Sequence, residues 1–340
     1  MKIRVVIVDD SLFMRAAIKK ALEADPRFEV VGVARDGREG VDKVLALTPD
    51  VVTMDFNMPR MDGRQAVREI MARRPTPVVM LSAHTEEGAR ETFDALAAGA
   101  VDFLTKPSGE VSADFEKLAP RLVAKLVDAA QAAPRPAPAP VARGRAANLT
   151  STWPGTGPRV LVIGISTGGP AALSQLLPQL PGDLGLAILV VQHMPAPFTQ
   201  TLAERLNDLS AIEVREARDG ERPRQALALV APGDHHLDIA DGGILRVVAG
   251  PEVHNVRPSV DVTMKAAARV FGRRAVGLLM TGMGRDGAEG MAAIKAAGGA
   301  TLAQDRASSV IWGMPRHAIE SGAADEVVAL ADLPARIVRL

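Results

Sequence analysis

The chain has no cysteine among its 340 residues. That excludes disulfides, thiol nucleophiles and thiolate metal sites, and it fits a reducing compartment. Net charge is also absent, with 40 Lys and Arg against 40 Asp and Glu, so nothing draws the chain as a whole toward nucleic acid or an anionic membrane. Long apolar runs are missing as well. The longest, such as Leu186 to Val191, fall far short of the roughly 20 residues a spanning helix requires. Met1 to Val8 is apolar but meets Asp9 and Asp10 too early to read as a signal peptide. A cytoplasmic protein is expected, with no membrane insertion and no nucleic-acid partner.

What is present is an ordinary apolar fraction of 47%, enough for two cores in a chain too long for one average domain. Residues 131–158 change to Pro, Ala, Arg, Gly, Ser and Thr, with Pro134, Pro136, Pro138 and Pro140 at alternate positions. Such a stretch favours an extended connector, which predicts domains over residues 1–130 and 159–340. In the first, Ile3 to Val8, Phe28 to Ala34, Val51 to Met54, Val78 to Leu81 and Val101 to Leu104 read as strands alternating with helices. In the second, strands are expected at Val160 to Ile165, Ala187 to Gln192, Ile212 to Glu216, Ala226 to Val230, Ala275 to Met280, Ala300 to Ala303 and Glu326 to Leu330. Helices are expected at Phe198 to Leu209, Val260 to Phe271 and Gly287 to Ala297. A hairpin joins His236 to Ala240 with Ile244 to Val248 through Asp241-Gly242-Gly243, because Asp-Gly suits the positive φ angles of a tight turn. The fold class is α/β, with two doubly wound parallel sheets: a flavodoxin-like domain, then a larger Rossmann-like domain carrying the hairpin.

In parallel sheets functional residues gather at the carboxyl ends of strands. In the first domain those ends offer Asp9, Asp10, Asp55, Ser82 and Lys106. Three carboxylates in one crevice repel unless a cation sits between them, and an oxygen-only set favours Mg²⁺. Lys106 adds a mobile charge beside Asp55, and Ser82 can hydrogen-bond a phosphoryl oxygen, so the set suits phosphate on Asp55. The segments Val8-Asp9-Asp10, Met54 to Gly63, Leu81-Ser82-Ala83 and Thr105-Lys106-Pro107 resemble the receiver domains of two-component response regulators. The resemblance implies Asp55 as phospho-acceptor and Asp9, Asp10 and the Asn57 carbonyl, with Asp55, around Mg²⁺. It further implies Ser82 as switch hydroxyl, Phe103 as switch aromatic and Lys106 as phosphate partner. Related receivers often carry glutamate where this chain has Asn57.

The second domain opens with Val160 to Ile165 running into Ser166-Thr167-Gly168-Gly169-Pro170. A buried strand, a glycine turn and a helix that accepts Pro170 in its first turn would present the Ser166 hydroxyl at a sheet edge. Gly164-Ile165-Ser166-Thr167-Gly168 fits the G-x-S-x-G pattern. It fits a phosphate-cradling loop equally well, so partner residues decide. His193 follows the strong strand Leu189 to Gln192 and reaches the same edge. His235 and His236 read as loop or structural residues, His254 as a loop or substrate-binding residue, and His317 as structural within a helix. Asp286, in Thr281-Gly282-Met283-Gly284-Arg285-Asp286-Gly287, reads as a helix N-cap, as the acid that orients a histidine, or as both. The order Ser166, His193, Asp286 differs from that of α/β-hydrolases, for which Ser166, Asp286 and His317 would be the alternative.

With these residues, Ile163 to Pro170, Gln192 to Pro195, Ala231-Pro232-Gly233, Arg257 to Asp261 and Thr281 to Gly287 are similar to the catalytic domain of the CheB family of chemotaxis methylesterases. The resemblance implies a serine hydrolase that demethylates glutamate methyl esters, and deamidates certain glutamines, on chemoreceptors. It implies no cofactor for hydrolysis and phosphate supplied to the receiver by the chemotaxis histidine kinase CheA. Ser166, His193 and Asp286 would be catalytic, with the Thr167 and Met283 amides facing the oxyanion. The unphosphorylated receiver would restrain the Ser166 site. Two other classes predict that Ser166 is dispensable: a DNA-binding regulator and a nucleotide-binding module. Residues 159–340 carry 18 Lys and Arg against 19 Asp and Glu, which gives no basic face for an operator.

Overall fold

The computed structural model describes residues 1–83, 85–106, 112–132, 159–196 and 198–340. Apart from Gln131 and Ala132, the expected linker lies outside these, as does Pro107 of the receiver motif. The chain separates into two compact units, Met1–Ala139 and Pro140–Leu340.

The first unit alternates β1 (Ile3–Val8), α1 (Leu12–Glu23), β2 (Phe28–Ala34), α2 (Gly37–Leu47), β3 (Val51–Asp55), α3 (Gly63–Arg73), β4 (Val78–Ser82), α4 (Glu86–Ala97), β5 (Asp102–Thr105) and α5 (Ser112–Ala129). All five strands pair in parallel in the order β2-β1-β3-β4-β5. Strands covered by helices on both faces must be apolar on both. Val5 to Val8 and Val78 to Leu81 accordingly show no exposed surface, each side chain stabilising by about 1.5–3 kcal/mol on burial. The helices start where side chains can replace missing acceptors. Ser11, Asp36, Asp62 and Thr85 each accept an N–H three residues on, from Met14, Glu39, Gln65 and Gly88.

The second unit contains β6 (Arg159–Ile165), α6 (Gly169–Leu176), β7 (Leu186–Gln192), α7 (Phe198–Leu209), β8 (Glu213–Glu216), β9 (Leu227–Val230), β10 (His236–Ala240), β11 (Ile244–Val248), α8 (Val260–Phe271), β12 (Ala275–Leu279), α9 (Ala288–Ala296), β13 (Ala300–Gln304), α10 (Met314–Glu320), β14 (Glu326–Val328) and α11 (Leu333–Val338). Seven strands pair in parallel in the order β14-β13-β12-β6-β7-β9-β8, while β10 and β11 pair antiparallel apart from them. Both sheets agree with the expected doubly wound class. The central strand β6 has β7 on one side and β12 on the other. Chain direction across the sheet reverses there, and that opens a crevice at the carboxyl ends.

Two departures from expectation trace to backbone conformation. Ala226 takes φ +57° and gives its N–H to Leu184 O and Leu186 O, so β9 begins one residue later than expected. In the hairpin loop the positive φ angles fall on Gly242 and Gly243, not on Asp241. A strand expected to reach Leu330 ends at Val328.

One charge in the first unit is poorly placed. Asp128 lies in the last turn of α5, where the helix dipole disfavours an anion. Burial pushes its carboxyl from an ordinary 3.8 up to about 6; Lys125 and Arg27 pull it down, while Asp102 pushes it further up. A folded pKa above the unfolded value means that the native state holds the proton more tightly. Stability from this group is therefore lost as pH rises from about 4 to about 6, and stays lost above. Asp128→Asn is expected to raise the melting temperature of the receiver transition by a few degrees at pH 8, with the gain shrinking toward pH 5. Scanning calorimetry at both pH values checks this, and an equal gain at each would contradict it.

Candidate active site

Ser166, His193 and Asp286 follow the carboxyl ends of three adjacent strands, β6, β7 and β12. The join between β6 and β7 is tight. Ile165 is in register with Gln192, His193 N–H donates to Ile165 O at 3.1 Å, and Gln192 Nε2 donates to Ser166 O at 3.0 Å. On the other flank Ser166 N–H donates to Thr281 O at 3.0 Å. A Cβ on Gly282 would stand 2.8 Å from Ser166 Cβ and 2.4 Å from Met314 Sδ, so only glycine lets the β12 loop pass so near the serine.

His193 Nε2 lies 2.8 Å from Asp286 Oδ2, with both side chains largely buried. That contact leaves Nδ1 as the ring nitrogen able to take a serine proton. The Ser166 hydroxyl is partly exposed and has no hydrogen-bond partner among the described residues, so the serine–imidazole bond is not made in this structure. Such bonds commonly tighten only when substrate arrives.

Asp286 does not cap the helix it precedes. Gly287, at φ +91°, is the N-cap residue of α9 and has no side-chain bond there. The Asp286 carboxylate instead caps α8 from outside, where Val260 N–H donates to Oδ2 at 2.7 Å and Asp261 N–H to Oδ1 at 3.1 Å. Ser259 Oγ donates to Oδ1 at 2.8 Å. Burial alone would raise this carboxyl. The hydrogen bond and charge of His193, with the amides of Val260 and Asp261, outweigh burial and hold it below the ordinary carboxylate value. Asp286 is thus a fixed anion at neutral pH, able to orient His193 and to stabilise its protonated form.

Packing brings α8 to this carboxylate. Val260 fills space that side chains at Gly164 and Gly287 would occupy: a Cβ on Gly164 would lie 2.4 Å from Val260 Cγ1, and one on Gly287 2.8 Å from it. Ser259 was not among the expected site residues. A serine before an amphipathic helix reads as that helix's own cap, and its true acceptor lies 27 residues away in sequence.

Thr281 ties the remaining loops together. Its Oγ1 donates to Thr167 O at 2.9 Å and accepts the N–H groups of Val310 and Ile311 at 3.1 and 3.0 Å. Thr167 is buried, while Met283 is 39% exposed and its N–H has no partner among the described residues. The other histidines of the second unit are engaged elsewhere. His317 Nδ1 contacts Gly313 O at 3.0 Å and His235 Nδ1 contacts Gly233 O at 3.1 Å. His254 Nε2 lies 3.0 Å from Asp261 Oδ2. His236 is buried, with Nε2 2.9 Å from Pro251 O and Nδ1 accepting Ser259 N–H at 3.1 Å.

In the first unit the acidic residues converge as expected. Carboxylate oxygens of Asp9, Asp10 and Asp55 all lie within 4.8 Å of one another. Lys106 Nζ sits 2.9 Å from Asp9 Oδ2 and 2.8 Å from Asp55 Oδ1. Burial pushes the Asp55 carboxyl up to about 6, with Lys106 opposing and Asp9 reinforcing the rise. One ammonium does not neutralise the set, and an all-oxygen pocket short of positive charge fits a hard divalent cation such as Mg²⁺. The Asn57 side-chain amide donates to Glu91 Oε2 at 3.2 Å. Ser82 is buried and donates to Gly88 O at 2.9 Å; Phe103 is buried on β5.

Comparison with known proteins matches two stretches of the chain to two families. Residues 5–113 match the response regulator receiver domain, and residues 161–337 match the CheB methylesterase family. A protein from Symbiobacterium thermophilum named protein-glutamate methylesterase/protein-glutamine glutaminase is 51% identical, covering 99% of this chain and 96% of its own. One of the same name from Pyrococcus horikoshii is 46% identical over 99% of this chain and 93% of its own. The crystal structure of the Thermotoga maritima CheB methylesterase catalytic domain superposes with TM-score 0.52 at 39% identity, covering 54% of this chain and 98% of that one. With a receiver sheet, a hydrolase-like triple of strand-end residues and full-length relatives of one name, the chain belongs to the CheB methylesterase family and carries a response regulator receiver domain ahead of its catalytic domain.

Proposed function

We propose that this chain hydrolyses glutamate methyl esters and deamidates glutamines on chemoreceptors, under control of phosphorylation at Asp55. The observation that carries the hydrolase reading is the His193–Asp286 pair beside a partly exposed Ser166, with Asp286 locked as an anion. His193 accepts the Ser166 proton as the serine oxygen attacks the γ-carbonyl carbon of the substrate. The carbonyl oxygen takes the negative charge, and the N–H groups of Met283 and Thr167 face it. Collapse of the tetrahedral species expels methanol, or ammonia from a glutamine, protonated by His193. Water then attacks the ester on Ser166, giving its proton to His193, and the product carboxylic acid leaves as Ser166 recovers its hydrogen.

In the receiver, Asp55 accepts the phosphoryl group from the phosphohistidine of a chemotaxis histidine kinase. Asp9, Asp10, Asp55 and the Asn57 carbonyl would hold Mg²⁺, which offsets charge on the transferring group. Lys106 and Ser82 bind the phosphoryl oxygens once they are on Asp55, and Ser82 must give up Gly88 O to do so. Loss of that bond, with Phe103 repacking, biases a two-state receiver. In the pathway this would trim receptor methylation when the kinase is active, which is adaptation.

Two measurements test these steps. Ser166→Ala should lower methanol release from methylated receptor by at least about 10⁴-fold with melting unchanged; a phosphate-cradling or DNA-binding role for the domain predicts little loss. A small phosphodonor with Mg²⁺ should raise the wild-type esterase rate, and Asp55→Ala should abolish that rise. Stimulation that survives in Asp55→Ala would remove Asp55 from the control step.

A further inference from the structure

Ser259 is the N-cap residue of α8, yet its hydroxyl makes no capping bond to its own helix. It is fully buried, and it donates to Asp286 Oδ1 at 2.8 Å while the same carboxylate holds His193 through Oδ2 at 2.8 Å. Its backbone is fixed in turn, because Ser259 N–H donates to His236 Nδ1 at 3.1 Å and His236 Nε2 meets Pro251 O at 2.9 Å. The two groups have exchanged tasks. Asp286 caps the helix with its carboxylate, and the native cap residue uses its hydroxyl to hold Asp286.

We infer that Ser259, backed by His236, is a positioning residue for the hydrolase: its hydroxyl fixes the rotation of the Asp286 carboxylate and draws charge from it, and thereby tunes the basicity of His193. The amides of Val260 and Asp261 contact one oxygen each, and the Ser259 hydroxyl adds a second donor to Oδ1, so that oxygen is held by two groups and not one. The hydroxyl is the only side-chain donor to Oδ1 among the described residues. Removing it leaves Asp286 ionised, because the amides and His193 remain. The carboxylate then carries more charge toward His193, which favours the imidazolium and raises the pH at which His193 becomes a competent base. A hydroxyl that only filled space would leave that pH unchanged.

This inference rests on the esterase reading, and the test separates the two. Ser259→Ala in the full chain, activated by a small phosphodonor, should lower kcat for methanol release by about 10- to 100-fold with little change in KM. The acid limb of its pH profile should move to higher pH. In an Asp286→Asn background the same substitution should cost less than about threefold, because the group it acts through is gone. NMR titration of histidine-labelled full chain, with His193 assigned by its loss in His193→Gln, should show a raised His193 pKa in Ser259→Ala. That titration reads the inference without turnover, so an inactive wild type would sink the esterase reading and leave Ser259 still decided. If Ser259→Ala destabilises the fold, Ser259→Thr, which keeps the hydroxyl, should retain the wild-type His193 titration. An unchanged His193 pKa in Ser259→Ala, or a full additive loss in the Asp286→Asn background, overturns the inference.

Discussion

A carboxylate taken out of water costs several kcal/mol unless donors replace those that water supplied. Asp286 has four such donors: a hydroxyl, two helical amides and an imidazole. The arrangement of the second domain's edge follows from meeting that requirement. It brings the N-terminus of α8 beside the β12 loop, sets His193 at the end of β7 within reach, and leaves Ser166 on the strand between. Without the amides the group would take a proton or the loop would open to solvent. With them it is an anion whose position is over-determined.

The receiver treats the same raw material in the opposite way. Asp9 and Asp55 are buried too, yet beyond one backbone amide each, from Ser11 and Phe56, they share a single lysine, and Asp55 is held well above an ordinary carboxylate. An under-compensated acidic pocket is unstable alone and responsive to what enters it; a saturated carboxylate is inert to its surroundings. One chain thus contains an acidic pocket short of donors and a carboxylate saturated with them. The difference lies in the number of donors around each carboxylate.

Much of this was legible from the chain alone because parallel sheets bury both faces of each strand. Mainly apolar runs mark β1, β3, β4, β6 and β7, and the polar residues at or just past their ends fall at the functional edge. Asp9, Asp55, Ser82, Ser166 and His193 were readable for that reason. Asp286 was readable as the acid that meets a histidine, but not in its capping partner, which is α8 and not the helix that follows it. Ser259 carried no legible role, because local pattern assigns such a serine to its own helix. Pairings that depend on tertiary approach leave no periodic trace, and Ala226 in its left-handed conformation left none either.

Val260, seated against Gly164 and Gly287, has an evolutionary consequence. Three positions spread over 124 residues (from 164 to 287) share one small volume, and none can grow unless another shrinks. Drift at the rim of this crevice is therefore free only down to that volume. Relatives that diverge in what they recognise should still inherit these three as a block, and a chimera that takes α8 from one lineage and the glycine turns from another would inherit a clash.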